Sequence, residues 1–166
     1  MELKKRVQQD LSSAIREKRK EALSVLRLLN SAIINQEKEK RYRKSKENPE
    51  LGEQELERES QLTEEEILEI ISREVKKRKE SVLAFKKGQR EDLVQKEEAE
   101  IEILQRYLPE QLSGQEIEKL AKEAIEKLGA KEMKDMGGVM KELMPKIKGR
   151  AEGGKVSQVV RQLLSK

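Results

Sequence analysis

The residues best placed to do chemistry lie near the end of the chain. Lys146, Lys148, Arg150 and Lys155 fall within ten residues, among Gly149, Gly153 and Gly154, and Lys141 and Arg161 flank them. Glycine lets a backbone come close to a ligand, and cations neutralise phosphates. The amphipathic stretch Val156 to Leu164 behind this loop would bring a helix N-terminus, with its partial positive charge, to the same place. The chemistry on offer is phosphate binding. The plainer reading is an exposed interhelical turn whose lysines meet water, and on spacing alone that reading has the better claim. Charge also concentrates here. Residues 131–166 hold nine Lys or Arg against four Asp or Glu, whereas residues 1–107 hold 25 against 24, so the cation excess sits in the tail.

Other constellations are weaker. Gly149 to Gly154 has the glycine spacing of a Walker loop and Lys155 follows it, but residue 156 is Val where Ser or Thr is required, and no strand precedes the loop. Nucleotide hydrolysis is therefore rejected. The chain has no His and no Cys, which removes the commonest neutral-pH acid–base group, thiolate metal sites and disulfides. Ser or Lys could serve as nucleophile and carboxylates as acid or base. Yet no Gly/Ser-rich amidase setting is visible, and carboxylates are too frequent for any pair to stand out. No catalytic residue, metal ligand or cofactor is assigned. Met133, Met136, Met140 and Met144 recur at helical spacing. Such a stripe suits an adaptable binding face, but core filling is its more ordinary role. Arg73, Lys76, Lys77, Arg78 and Lys79, like Arg16, Lys18, Arg19 and Lys20, read as solvated helical charge. Arg27, inside an apolar helix, reads as structural, paired with an acidic neighbour.

The elements that position these residues are helices. Leu3, Val7, Leu11 and Ile15 line one face of a first helix. In a second, Ala22, Val25, Leu26, Leu29, Ala32 and Ile33 form a wide stripe with Leu23, Leu28 and Ile34 outside it, which places that helix centrally in a bundle. A charged insertion, 38–61, follows: basic to Lys46, then acidic to Gln61 with Pro49 and Gly52. Its halves either pair as a helical extension or remain a loose loop, and a solvated insertion is a more ordinary reading of it than a functional basic patch. Thr63 and Glu66 form a capping box, bracketed by Leu62 and Ile67. It opens a third helix that runs through Ile70, Ile71, Val75, Val82 and Phe85 to Gly88. A fourth carries Leu93 or Val94, Ile101, Leu104 and Leu108, and Pro109 stops it or marks the turn beyond it. Ser113 and Glu116 repeat the capping box before a fifth helix, Ile117 to Leu128, which Gly129 ends. Met136 to Leu143 forms a sixth, ended or kinked at Pro145, and Val156 to Leu163 a seventh. No strand pattern appears.

The fold is thus read as all-α: an N-terminal bundle of about four helices, residues 1–108, and a small C-terminal domain of about three, residues 109–166. The boundary falls between Tyr107 and Ser113. The smaller core is expected to lean on the fourth helix. Composition agrees with helices. Charged residues make up 42 % of the chain and aromatics 2 %, which invites a disorder reading. The charges, however, lie between regularly spaced aliphatics, as in long helices. No apolar run approaches the ~18 residues of a membrane span, and charge begins at Glu2. The expected location is cytoplasmic, without a membrane partner. A net charge of +4 permits a nucleic-acid partner without demanding one.

Several motifs, in order along nearly the whole chain, resemble the GatB/YqeY family. They are Leu23-Ser24-Val25-Leu26-Arg27, the run Arg73 to Lys79, Gly88-Gln89-Arg90-Glu91-Asp92-Leu93, Tyr107-Leu108-Pro109, Lys134-Asp135-Met136-Gly137, Val139-Met140, Leu143-Met144-Pro145 and Lys148-Gly149-Arg150-Ala151. The resemblance implies a free-standing relative of the tail domain of the GatB subunit of tRNA-dependent amidotransferases, a domain that contacts tRNA, without that enzyme's catalytic part. It moves the phosphate reading of the tail loop ahead of the solvated turn. The expected function is a tRNA-interacting accessory module without activity of its own. The alternative is a protein-interaction module docking on an amidotransferase, a synthetase or the ribosome. A third reading follows the label such families carry, a carbon–nitrogen ligase with glutamine as amido-N-donor acting on aminoacyl-tRNA. With so few aromatics, shape and backbone rather than base stacking would carry RNA recognition. The insertion 38–61 is longer than the family's compact members suggest.

Overall fold

The computed structural model describes residues 2–165, and every regular element among them is helical. The chain divides into two compact units, Met1–Tyr107 and Leu108–Lys166.

The first unit holds α1 (Glu2–Arg16), α2 (Lys20–Glu47), α3 (Glu53–Ser60), α4 (Glu64–Lys87) and α5 (Glu91–Gln105). As its apolar girth suggests, α2 is central and packs against the other four. Its Ala22, Val25, Leu26, Leu29 and Ile33 are buried with Val7 and Ala14 of α1, Ile67, Ile70, Ile71 and Val75 of α4, and Val94, Ile101 and Leu104 of α5. The α1–α2 turn is tight enough to hold Lys18 at φ 55°. Thr63 caps α4 as its sequence predicts: its hydroxyl accepts from Glu66 N–H, and the Glu66 carboxylate accepts from Thr63 N–H.

The insertion 38–61 forms a helical hairpin, not a loose loop. α2 continues to Glu47, the chain reverses over residues 48–52, and α3 returns alongside it. The two charge blocks explain the pairing. Lys44 meets Glu59 at 3.4 Å and Arg41 meets Glu53 at 3.6 Å. Lys40 bridges to Glu66 at 2.8 Å and to the Gln61 carbonyl at 3.1 Å. Ser60 and Leu62 are buried beneath.

Two cations depart from their sequence readings. Arg27 is exposed and has no ion pair among the described residues, so α2 turns it to solvent. Arg78, expected to be solvated, is buried between α4 and α5. Its Nε donates to Glu100 at 2.9 Å and its Nη1 to Glu74 at 3.1 Å.

The second unit holds α6 (Gly114–Leu128), a single 3₁₀ turn (Met133–Asp135), α7 (Met136–Ile147) and α8 (Gly153–Leu164). Each helix contributes three residues at helical spacing to one core: Ile117, Ala121 and Ala124; Val139, Leu143 and Ile147; Val156, Val160 and Leu164. The partly buried residues packed against them all lie between Leu112 and Leu163, so the cluster closes within this unit. Met136 and Met140 join it, while Met133 and Met144 are exposed; the methionine stripe is split between core and surface. The Ser113–Glu116 capping box forms. Pro145 does not end α7, which runs on to the buried Ile147. The proline takes one N–H out of the ladder, and burial of Ile147 keeps the last turn wound.

Candidate nucleic-acid interface

The tail cations sit on three different elements. Lys141 and Lys146 are on α7, and Lys148 is its C-cap. Gly149 follows at φ 72°, the left-handed conformation that glycine adopts at little cost. Arg150 lies in the connection. Lys155 is in the first turn of α8 and Arg161 in its last. The loop is therefore shorter than its sequence suggests, because Gly153 and Gly154 belong to the helix. Nothing lies within 4 Å of where a Cβ on either would stand, so neither glycine is required by packing within the chain.

Arg150 has a structural role. Its Nε donates to the Glu110 carbonyl at 3.2 Å, and its own carbonyl accepts from Leu112 N–H at 2.7 Å. Gln111 Nε2 donates to the Gly149 carbonyl at 2.7 Å. Residues 110–112 are thereby clasped to the α7–α8 connection. The nearby capping box carries the electrostatic trace. The Ser113 N–H and hydroxyl hold the Glu116 carboxyl below its ordinary range, and the Arg150 charge adds to this.

The remaining cations differ in availability. Lys141, Lys146, Lys155 and Arg161 are exposed, and no carboxylate stands within ion-pair distance of them among the described residues. Glu142, one turn before Lys146, is bonded instead to Lys127 at 2.6 Å, which with the lesser pull of Lys146 lowers its pKa. Lys148 is half-buried and has a partner of its own. Around a helix, five residues turn about 140° and six about 120° the other way. Lys141 and Lys146 thus diverge on α7, as do Lys155 and Arg161 on α8. Lys146 and Lys155 flank the α7–α8 connection. Arg161 instead rims an open groove of about 540 Å³ against Gly114 and Glu118 of α6. The tail therefore presents a dispersed cationic surface rather than one pocket. The N-terminus of α8 has no side-chain cap, although Glu152 at that position places a negative charge beside it.

A further basic set lies on α2. Lys40, Arg41 and Lys44 point at acidic partners, while Lys38, Arg43 and Lys46 face outward. The signal was the basic run 38–46, legible as two faces only once α2 is known to be helical through it. Among the described residues no three acidic side chains converge as a metal-binding set, and no helix is long and apolar enough to cross a membrane.

Comparison with known proteins covers nearly the whole chain. Residues 4–164 match the family described as Yqey-like protein. Altered inheritance of mitochondria protein 41, mitochondrial, of Pyrenophora tritici-repentis is 34 % identical over 149 residues, which are 88 % of this chain and 71 % of that protein. An uncharacterized protein of Schizosaccharomyces pombe is 40 % identical over 48 residues, 29 % of this chain and 39 % of that one.

Proposed function

The chain belongs to the YqeY-like family, and from that premise we propose that it is an accessory module that binds tRNA through phosphate contacts from its C-terminal unit and has no catalytic activity of its own. The observation that carries this reading is the set Lys141, Lys146, Lys155 and Arg161, exposed and without ion pairs among the described residues, in the most cationic part of the chain. Dispersion over two helices suits an extended backbone ligand better than a small phosphate ester. Arg150, engaged with the Glu110 carbonyl and Leu112 N–H, has a positioning role, and Lys148, which has a partner of its own, stays outside the set. The lack of catalysis rests on a sequence without His or Cys. We place the protein in the cytosol. The Pyrenophora relative bears a mitochondrial name, and fractionation of the tagged protein decides between the two.

The test is titration of bulk tRNA at several salt concentrations. Replacing Lys141, Lys146, Lys155 and Arg161 with Ala lowers the slope of log K against log salt by about 0.7–0.9 for each phosphate no longer neutralised. An unchanged slope defeats the reading. A second reading, docking on an amidotransferase or synthetase, is favoured by the exposed Leu128, Met133 and Met144 of the same unit.

A further inference from the structure

We propose that the outward face of α2 binds an unpaired segment of nucleic acid, with Arg27, Lys38 and Lys46 on its phosphates and Tyr42 against a base. This surface lies in the other unit and does not depend on the reading of the tail.

The face is defined by spacing. Arg27, Ser31, Asn35, Lys38, Tyr42 and Lys46 follow one another at three or four residues, which aligns them along one strip of a helix. All six are exposed. From Arg27 to Lys46 the strip runs about 28 Å, at 1.5 Å per residue. It contains three cations, an amide, two hydroxyls and no acid. Arg27 and Lys38 make no ion pair among the described residues, and the Lys46 ammonium lies 4.7 Å from the centre of the Tyr42 ring. Of the acids beside the strip on the same helix, Glu37 is bonded to Lys4, while the exposed Glu39 and Glu47 follow Lys38 and Lys46 in sequence and lie off its line.

The contrast within one basic run gives the strip its meaning. Lys40, Arg41 and Lys44 are matched by Glu66, Glu53 and Glu59, so the inner cations of the run are neutralised, while Lys38, Arg43 and Lys46 have no acidic partner among the described residues. Tyr42 is 61 % exposed. One exposed aromatic between cations can take a single base of an unpaired strand while the cations take its phosphates; the scarcity of aromatics limits stacking to that one base and leaves most of the affinity to the phosphate contacts. An acidic amphipathic helix fits less well. The exposed apolar residues Leu28 and Ile34 are six positions apart, hence about 120° around the helix, and offer no common seam.

The probe is a fluorescein-labelled oligouridylate of about 15 nucleotides, titrated against the full chain at several salt concentrations. The variant Arg27→Ala, Lys38→Ala, Lys46→Ala is expected to lower the salt slope by about 2, at roughly 0.7 per phosphate contact on a single strand. Tyr42→Ala is expected to weaken binding about 5- to 150-fold, the range of one base–aromatic stack, and Tyr42→Phe to restore it. Alanine substitution of the four tail cations is expected to leave oligouridylate binding in place. Oligouridylate binding that is absent in the parent, or unchanged in the α2 variants, overturns the proposal. So does equal affinity for polyglutamate of matched charge, which assigns the face to an acidic protein. Weakened binding in the tail variant alone overturns it too, and leaves the tail reading standing.

Discussion

Arg78 and its neighbours Lys76 and Lys77 belong to one run of cations, yet they have opposite fates. The lysines are exposed, whereas Arg78 is 8 % exposed and bonded to Glu100 and Glu74. Removing one partner of a buried pair leaves the other charge uncompensated, at a cost of about 3–5 kcal/mol, while replacing both with apolar residues is often close to neutral. Arg78→Met is therefore expected to lose stability of that order in urea denaturation, and Arg78→Met with Glu100→Leu to recover most of it. Any charge-removal control on this helix must leave Arg78 in place. Glu66 makes a second residue-scale case. Burial disfavours its charged form, but Lys40 and the Thr63 N–H outweigh this and hold its pKa below the ordinary carboxylate value. A lowered carboxylate pKa stabilises the fold above the unfolded value and loses that contribution as pH falls through the folded one. Glu66→Gln should thus melt below the parent at neutral pH, with the gap closing as the pH drops below the ordinary Glu value of about 4.3; a gap independent of pH would show that the ionised form is not what stabilises.

At the scale of elements, caps and turns decide where the candidate cations stand. Gly149 ends α7 in the left-handed region at φ 72°, where a side chain costs roughly 1–2 kcal/mol. Gly149→Ala is expected to lower stability by about that much and to loosen the clasp of residues 110–112. Ser113→Ala removes an N-cap, for about 1 kcal/mol, without touching that clasp. Thermal melts give the two costs. Amide exchange at Leu112, whose N–H bonds to the Arg150 carbonyl, separates them, rising in the glycine variant and not in the serine one. The motif Lys148-Gly149-Arg150-Ala151 thus reads first as the joint that orients α8, and through it Lys155.

For the molecule as a whole, the second unit carries its own core, nine buried residues from three helices. A fragment of residues 108–166 is expected to be helical and to melt cooperatively, at lower temperature than the full chain because so small a core is marginal. A fragment beginning at Ser113 lacks the Glu110, Gln111 and Leu112 contacts to the α7–α8 connection and should melt lower still. Absence of a cooperative transition in the longer fragment would mean that the core is incomplete without the first unit.

What the sequence by itself determined was local. The all-α class, both capping boxes, the ends at Gly88 and Gly129 and the core stripes of the long helices depend on residues within a turn or two of one another, and so were readable from spacing. The family, too, was legible from short motifs in order. What only the tertiary structure decided was which charges meet. Lys40 finds Glu66, Lys4 finds Glu37, Arg78 finds Glu100 and Arg150 finds the Glu110 carbonyl across separations of 22 to 40 residues. In a chain that is 42 % charged, nearly every cation has a plausible partner in composition. Ion pairing requires approach within a few ångströms, and that distance is set by how helices pack. The available cations of the tail, the bare strip of α2 and the buried Arg78 could not be told apart until the fold had brought their neighbours into place.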